Sequence, residues 1–281
     1  MYKKSVKYSF VASFSIMVLL FTFITSTAYG ATTTTVTNIW EFAKPTGLAV
    51  DSSGKNIYVA EDSGIKKIDI SSNTTTAAAV SFTDSSTVAL DSSDNIYVLD
   101  SSDHKIYKTN KDGSTTTLEN GVISPCGIAL DSRNNIYIVD AGDAKIKKFN
   151  SDGIPSGNPI GLDNVYSIYE VAVDSIGNIY AKCFTNDAKY VINKFNSDGT
   201  FIATIISGDN NSNDMHVAVD SSNNVYISKH DTDNNKNIIY KMKTNGQKDV
   251  YASYNSEQEI SDIAVDNNGN IYVIEGNYVK K

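Results

Sequence analysis

The chain has 281 residues, with 32 acidic side chains against 24 lysines and arginines, and a formal charge of −8. That excess argues against nucleic acid or an anionic membrane surface as partner, because both call for basic patches. The length suits one large all-β domain.

At the N-terminus, Lys3, Lys4 and Lys7 precede a mostly apolar run from Phe10 to Ile24, and a short polar stretch ends in Ala28-Tyr29-Gly30. The apolar run is shorter than the roughly 20 residues that span a bilayer. With small residues at the −3 and −1 positions of a cut after Gly30, the segment predicts a cleaved signal peptide over 1–30. An uncleaved membrane anchor is the alternative, and the absence of a cysteine after the run argues against a lipid anchor. Cleavage would remove three lysines and no acids, taking the charge to −11. The expectation is a secreted, extracellular domain over 31–281 with no membrane attachment after cleavage.

From there the chain repeats, and a repeat decides the architecture before any single element does. Leu48-Ala49-Val50-Asp51, Val88-Ala89-Leu90-Asp91, Ile128-Ala129-Leu130-Asp131, Val171-Ala172-Val173-Asp174, Val217-Ala218-Val219-Asp220 and Ile263-Ala264-Val265-Asp266 share one pattern. The steps from Asp to Asp are 40, 40, 43, 46 and 46 residues. Each Asp opens a polar turn that leads into Asn-Ile-Tyr or Asn-Val-Tyr, with the tyrosines at 58, 97, 137, 180, 226 and 272. Third apolar segments follow at 65–70, 105–109, 145–149, 191–195 and 238–242. The dipeptides Asp112-Gly113, Asp152-Gly153, Asp198-Gly199 and Asn245-Gly246 then supply hairpin turns. A fourth segment, often rich in Thr, Ile, Val or Phe, completes the unit.

Short β-branched segments at this period describe a four-stranded propeller blade; helical solenoids of similar period need apolar spacings of three and four. The last unit stops in its third strand, at Tyr278-Val279-Lys280-Lys281, and Thr32-Thr33-Thr34-Thr35-Val36 is similar to the fourth-strand segment Thr115-Thr116-Thr117-Leu118. The expectation is an all-β, six-bladed β-propeller with four antiparallel strands per blade. Its ring is closed by an N-terminal strand that completes the last blade and removes an exposed edge. The six tyrosines are expected to pack between blades, and the Asp/Asn turns to bond their own backbone rather than calcium.

The runs Pro45-Thr46-Gly47-Leu48-Ala49-Val50-Asp51 and Pro125-Cys126-Gly127-Ile128-Ala129-Leu130-Asp131, each followed by a polar turn and Asn-Ile-Tyr, resemble the NHL repeat. Asp103-His104-Lys105-Ile106 also fits that pattern. The resemblance covers about 32–281 and implies the propeller fold without an activity, since relatives of this architecture include binding modules, lactonases, streptogramin lyases and amidating lyases.

Counted back from each repeat Asp, the −2 residue is Ala in all six units, which predicts a small column facing the axis. The −4 residues share its face and are Gly47, Thr87, Gly127, Glu170, His216 and Asp262. Three consecutive blades thus offer Glu170, His216 and Asp262 to the channel mouth. Such a set could hold one divalent metal, exchange protons, or form a solvated rim of ion pairs. The enzymatic relatives match loosely. The −5 residues include no His where the resemblance to streptogramin lyases implies one, and His104 and His230 are expected in loops too far away to complete a three-His zinc site. Cys126 and Cys183 fall on the mouth face of neighbouring blades, as a possible disulfide or as two free buried thiols. The sequence therefore predicts a monomeric, secreted binding module that takes a protein, peptide or glycan ligand at its funnel. The alternative is a metal-dependent hydrolase or lyase with its site at the channel mouth.

Overall fold

The computed structural model describes residues 37–78, 85–118, 121–161, 165–208 and 214–281. Within them lie six four-stranded antiparallel sheets, arranged as the blades of a six-bladed β-propeller. In chain order the first strands are Pro45–Val50, Ser85–Leu90, Pro125–Leu130, Val165–Val173, His216–Val219 and Ile260–Val265. Blades 1 to 5 are built from consecutive strands. In blade 6, Ile260–Val265, Ile271–Glu275 and Tyr278–Lys280 are joined by Ile39–Glu41 as the outer strand.

The ring therefore closes with an N-terminal strand, but not with the expected residues. Ile39, Trp40 and Glu41 pair with Lys280, Val279 and Tyr278. Residues 32–36, expected in that place from their threonine content, lie outside the described residues. An apolar anchor explains the choice: Trp40 and Phe42 are buried together with Val279, Tyr272 and Leu48, so the closing strand also seals blade 6 onto blade 1.

Apolar packing runs between blades. Each repeat Tyr leaves its own sheet and packs against the first and second strands of the next blade: Tyr58 against Val88 and Ile96, Tyr97 against Ile128 and Ile136, Tyr137 against Val171 and Ile179. Tyr180, Tyr226 and Tyr272 continue the pattern to blades 5, 6 and 1. In five blades the phenol donates to the repeat Asp at 3.1–3.4 Å. A lysine ammonium lies 4.9–5.8 Å from the centroid of every one of the six rings. In blades 1 to 5 this lysine is the Tyr's direct cross-strand partner, a cation–π pairing of a type worth about 0.5–2 kcal/mol.

The Asp turns serve the fold. Each repeat Asp accepts the side-chain amide of the Asn that opens the second strand, at 2.6–2.8 Å. It also holds backbone N–H groups of its own turn. On the opposite face, buried acids at the ends of second strands anchor the chain as it enters a blade. Asp140 is the fullest case: it accepts the N–H groups of Ile123, Ser124 and Gly142 at 2.8, 2.9 and 3.1 Å and pairs with Lys147 at 2.6 Å.

Burial works to raise Asp140, but Lys147 and the three backbone donors outweigh it and hold the carboxyl below its usual value. A carboxyl lowered in the fold stabilises above its unfolded value, and that stability is lost as pH falls through the folded one. Asp140→Asn is therefore expected to cost about 2–3 kcal/mol at pH 7, with a gap that narrows toward pH 3 when melts of the two proteins are compared across pH.

Candidate functional site at the channel mouth

Six first strands converge on the axis, and all six −2 alanines line a central cavity of about 390 Å³. The expected column is thus in place, and its reason is steric: only small side chains fit there. The −4 positions sit one pleat higher, at the mouth. In blade 1 the approach is so close that a Cβ on Gly47 would lie 2.9 Å from the Cα of Thr87 in the next blade, which requires glycine.

In blades 4 and 6 the mouth residues reach across to the following blade instead, and His216 of blade 5 reaches back to Glu170. Oε1 of Glu170 accepts the N–H of Val217 at 2.8 Å, while its Oε2 lies 2.8 Å from Nδ1 of His216. Oδ2 of Asp262 accepts the N–H of Leu48 at 2.7 Å, and Oδ1 that of Ile263 at 2.8 Å. The three residues expected from the sequence are thereby brought together, with one ligand-type atom from each inside a 4.8 Å span. Glu170 fixes the proton of His216 on Nδ1, which leaves Nε2 as the ring nitrogen able to accept a proton or a metal ion.

Two further residues belong to the site and were missed from the sequence. Lys182 faces Glu170, and Ser228 faces His216, as direct cross-strand partners. Lys182 is buried and lines the cavity, and Oγ of Ser228 accepts the N–H of His216 at 3.1 Å. The corresponding residues of the other blades are Ala60, Leu99, Val139 and Ile274. A lysine two residues beyond the repeat Tyr was the available signal.

The electrostatics follow from burying like charges together. Burial, with the Glu170 carboxylate beside it, pushes Asp262 up to about 7, against the pull of His216 and its two backbone donors. Burial also works to raise Glu170, but His216, Lys182 and the N–H of Val217 prevail and lower it. Lys182 is pushed down by burial and held up by Glu170, Asp214, Asp262 and Glu259. Two carboxylates and an imidazole suit a divalent transition metal. An ion with bonds of about 2.1 Å keeps its donors within about 4.2 Å of one another, so it would draw this set slightly inward.

Other candidates fall elsewhere. The pairing of Cys126 with Cys183 is not formed, and both thiols are free. Sγ of Cys126 approaches the carbonyls of Ile168 and Tyr169 at 3.6 and 3.7 Å, and Sγ of Cys183 that of Ala181 at 3.5 Å. Both pack in the apolar interface of blades 3 and 4, where burial pushes each thiol up to about 12. His104 lies in a turn, as expected. His230, expected in a loop, is instead a buried residue of the strand Val225–Asp231, with Nδ1 2.7 Å from Oδ1 of Asn237. Paired there, its ring serves blade 5 and leaves His216 as the imidazole of the mouth cluster.

No protein-family model matches the chain, and no curated protein matches it in sequence. Solved structures do. Virginiamycin B lyase from Staphylococcus aureus superposes with a TM-score of 0.59 at 14% identity, over 87% of this chain and 97% of that one. A chain of a nidogen/laminin complex gives 0.63 at 19%, over 78% and 85%. Hydrazine synthase of Kuenenia stuttgartiensis gives 0.63 at 12%, over 88% and 77%. At such identities the likeness establishes the fold, a six-bladed β-propeller, and leaves function to the residues of the site.

Replacing the buried cation removes the charge that holds Glu170 and Asp262 side by side. Lys182→Met is expected to destabilise the ring by roughly 3 kcal/mol, read as a lower urea midpoint with an unchanged slope.

Proposed function

We propose that the chain is a secreted NHL-type propeller that recognises a small chemical group at the mouth of its central channel. The group would be free, or displayed on a protein, peptide or glycan. One observation carries the reading: the mouth positions of both inner strands turn polar in consecutive blades, with Glu170 over Lys182, His216 over Ser228, and then Asp262. A cavity of about 390 Å³ lies in the range of small-molecule sites. The sequence of Met1–Gly30 supports secretion, and the Pro-x-Gly runs and Asn-Ile-Tyr strands support the repeat type. The nidogen/laminin neighbour is a precedent for a propeller of this shape in a protein complex. The net negative charge of the chain favours a monomer.

Saturation-transfer NMR against a panel of amines, amino acids, organic acids and sugars tests the reading, using the parent and Glu170→Gln. Ligands that signal with the parent and fall silent with the variant are expected. A panel that gives no such ligand, or ligands indifferent to the substitution, would overturn a mouth site.

The contact between Glu170 and His216 favours one second reading, a metal-dependent hydrolase or lyase. There Glu170, His216 and Asp262 would hold the ion, which would supply a Lewis acid beside the cavity. Near-stoichiometric metal in the purified parent, lost in His216→Ala, is the expected result on that reading. Metal-free parent protein from metal-replete growth would sink it.

A further inference from the structure

Blade 4 departs from the other blades on the mouth face. Its first strand has nine residues, where those of blades 1, 2, 3 and 6 have six and that of blade 5 has four. The register of this strand shifts twice: between Ile168 and Glu170, where blades 1, 2, 3 and 6 also shift, and again between Val165 and Ser167. The extra residues of these two bulges are Tyr166 and Tyr169. A bulge re-aims a side chain out of the regular alternation, and here it presents tyrosines at the rim.

The rings continue into a ledge. Tyr169, which lines the channel cavity, lies 5.9 Å from Tyr190 between centroids; Tyr190 lies 4.7 Å from Phe184, and Phe184 6.5 Å from Tyr166. Tyr166 is 73% exposed at the outer end. Four rings thus run from the wall of the site into solvent. Lys189, on the hairpin beside them, is engaged by Asp187 at 3.7 Å.

Charge supplies the second, independent observation. Glu170 and Asp262 line the cavity beside Lys182 and His216, and Asp214 and Glu259 add their pull on the Lys182 ammonium. Asp214 is almost wholly buried; its Oδ2 accepts the N–H of His230 at 2.8 Å, and its Oδ1 has no hydrogen-bond partner among the described residues. An anion would be repelled here, and a neutral apolar ligand would leave the excess acid uncompensated. A bare metal ion would satisfy the acids but would make no use of an exposed aromatic ledge. A cation with apolar substituents meets both requirements, because tyrosine faces attract it as carboxylates do.

We propose that the mouth takes a small organic cation, its substituted ammonium seated between the Tyr166–Tyr169–Phe184–Tyr190 ledge and the carboxylates of blades 4 to 6. This names the ligand class for the channel-mouth reading above and rests on it. Tyr169 is the central specificity-determining residue, since it belongs to both the ledge and the cavity wall.

Calorimetric titration with choline, and with its neutral carbon isostere 3,3-dimethylbutan-1-ol, tests the class. Saturable choline binding is expected, with the isostere roughly tenfold weaker. Tyr169→Leu keeps apolar volume while removing the π face and should weaken choline to a similar extent at unchanged melting temperature. Tyr166→Ala, at an exposed position, is a second variant that should fold normally and bind choline less tightly. Equal binding of the isostere, unchanged affinity in both variants, or no choline binding up to tens of millimolar would each overturn the proposal. Failure of this inference is distinguishable from failure of the mouth site. Neutral or acidic ligands that depend on Glu170 in the NMR panel would leave the site standing without a cation, whereas no Glu170-dependent ligand of any class removes both.

Discussion

The wedge between neighbouring blades is the interaction on which the molecule depends. Each repeat Tyr is pushed out of its own sheet into the first and second strands of the next, so the apolar core is divided into six radial seams. Burying a large side chain of this kind is worth about 1.5–3 kcal/mol, and the repeat makes the gain six times around the ring. In five blades the phenol ends on the Asp that organises the turn of its own blade, and a lysine covers the ring, so turn, seam and outer surface are tied at one residue. The seam between blades 6 and 1 has the same composition. It lacks only an outer strand, which Ile39–Glu41 supplies while Trp40 fills the remaining apolar space.

A core confined to the seams leaves the axis hollow. Near the axis the constraint is crowding, satisfied by alanine at every −2 position and by glycine at −4 in blades 1 and 3. Residues at the mouth are thus free of the packing duty that governs the seams, and can change chemistry without loss of the fold. In blades 4 to 6 they do. Even so, the carboxylates keep a structural task, because Glu170 and Asp262 each accept a backbone N–H of the following blade. Their orientation is therefore set by the ring, and the site is held by the same closure that holds the fold.

The sequence was legible wherever the repeat was regular. Strand order, the six Tyr, the turn-forming Asp and the position of Glu170, His216 and Asp262 all follow from a period of 40–46 residues and the alternation of side chains along a strand. It became illegible where the unit departs from its own pattern. Lys182 and Ser228 stand at positions that are apolar in the other four blades. The additional bulge of blade 4 breaks the alternation by which Tyr166 could have been placed, and Tyr169 sits in the −5 bulge that recurs in blades 1, 2, 3 and 6. His230 falls within a second strand that runs past the length of most others. The closing strand was misplaced for a related reason: threonine content speaks only to strand propensity, whereas Trp40 and Phe42 answer a vacancy in a seam that exists only once the ring is formed.

By itself, then, the sequence determined a six-fold repeat of four short strands, a ring that must borrow its last strand from the N-terminal side, and a polar face on three consecutive blades. Those are local properties, written in periodicity and burial pattern. Tertiary structure decided which atoms meet: that Nδ1 of His216 lies on Glu170 while Asp262 turns to the backbone of blade 1, that Lys182 is sunk beside Glu170 and Asp262, and that two cysteines close in sequence pattern remain apart as thiols. The reason is geometric. Blades meet through side chains separated by one repeat, or in the last seam by the length of the domain, and only closure of the ring brings those atoms to the distances at which charge and hydrogen bonding act.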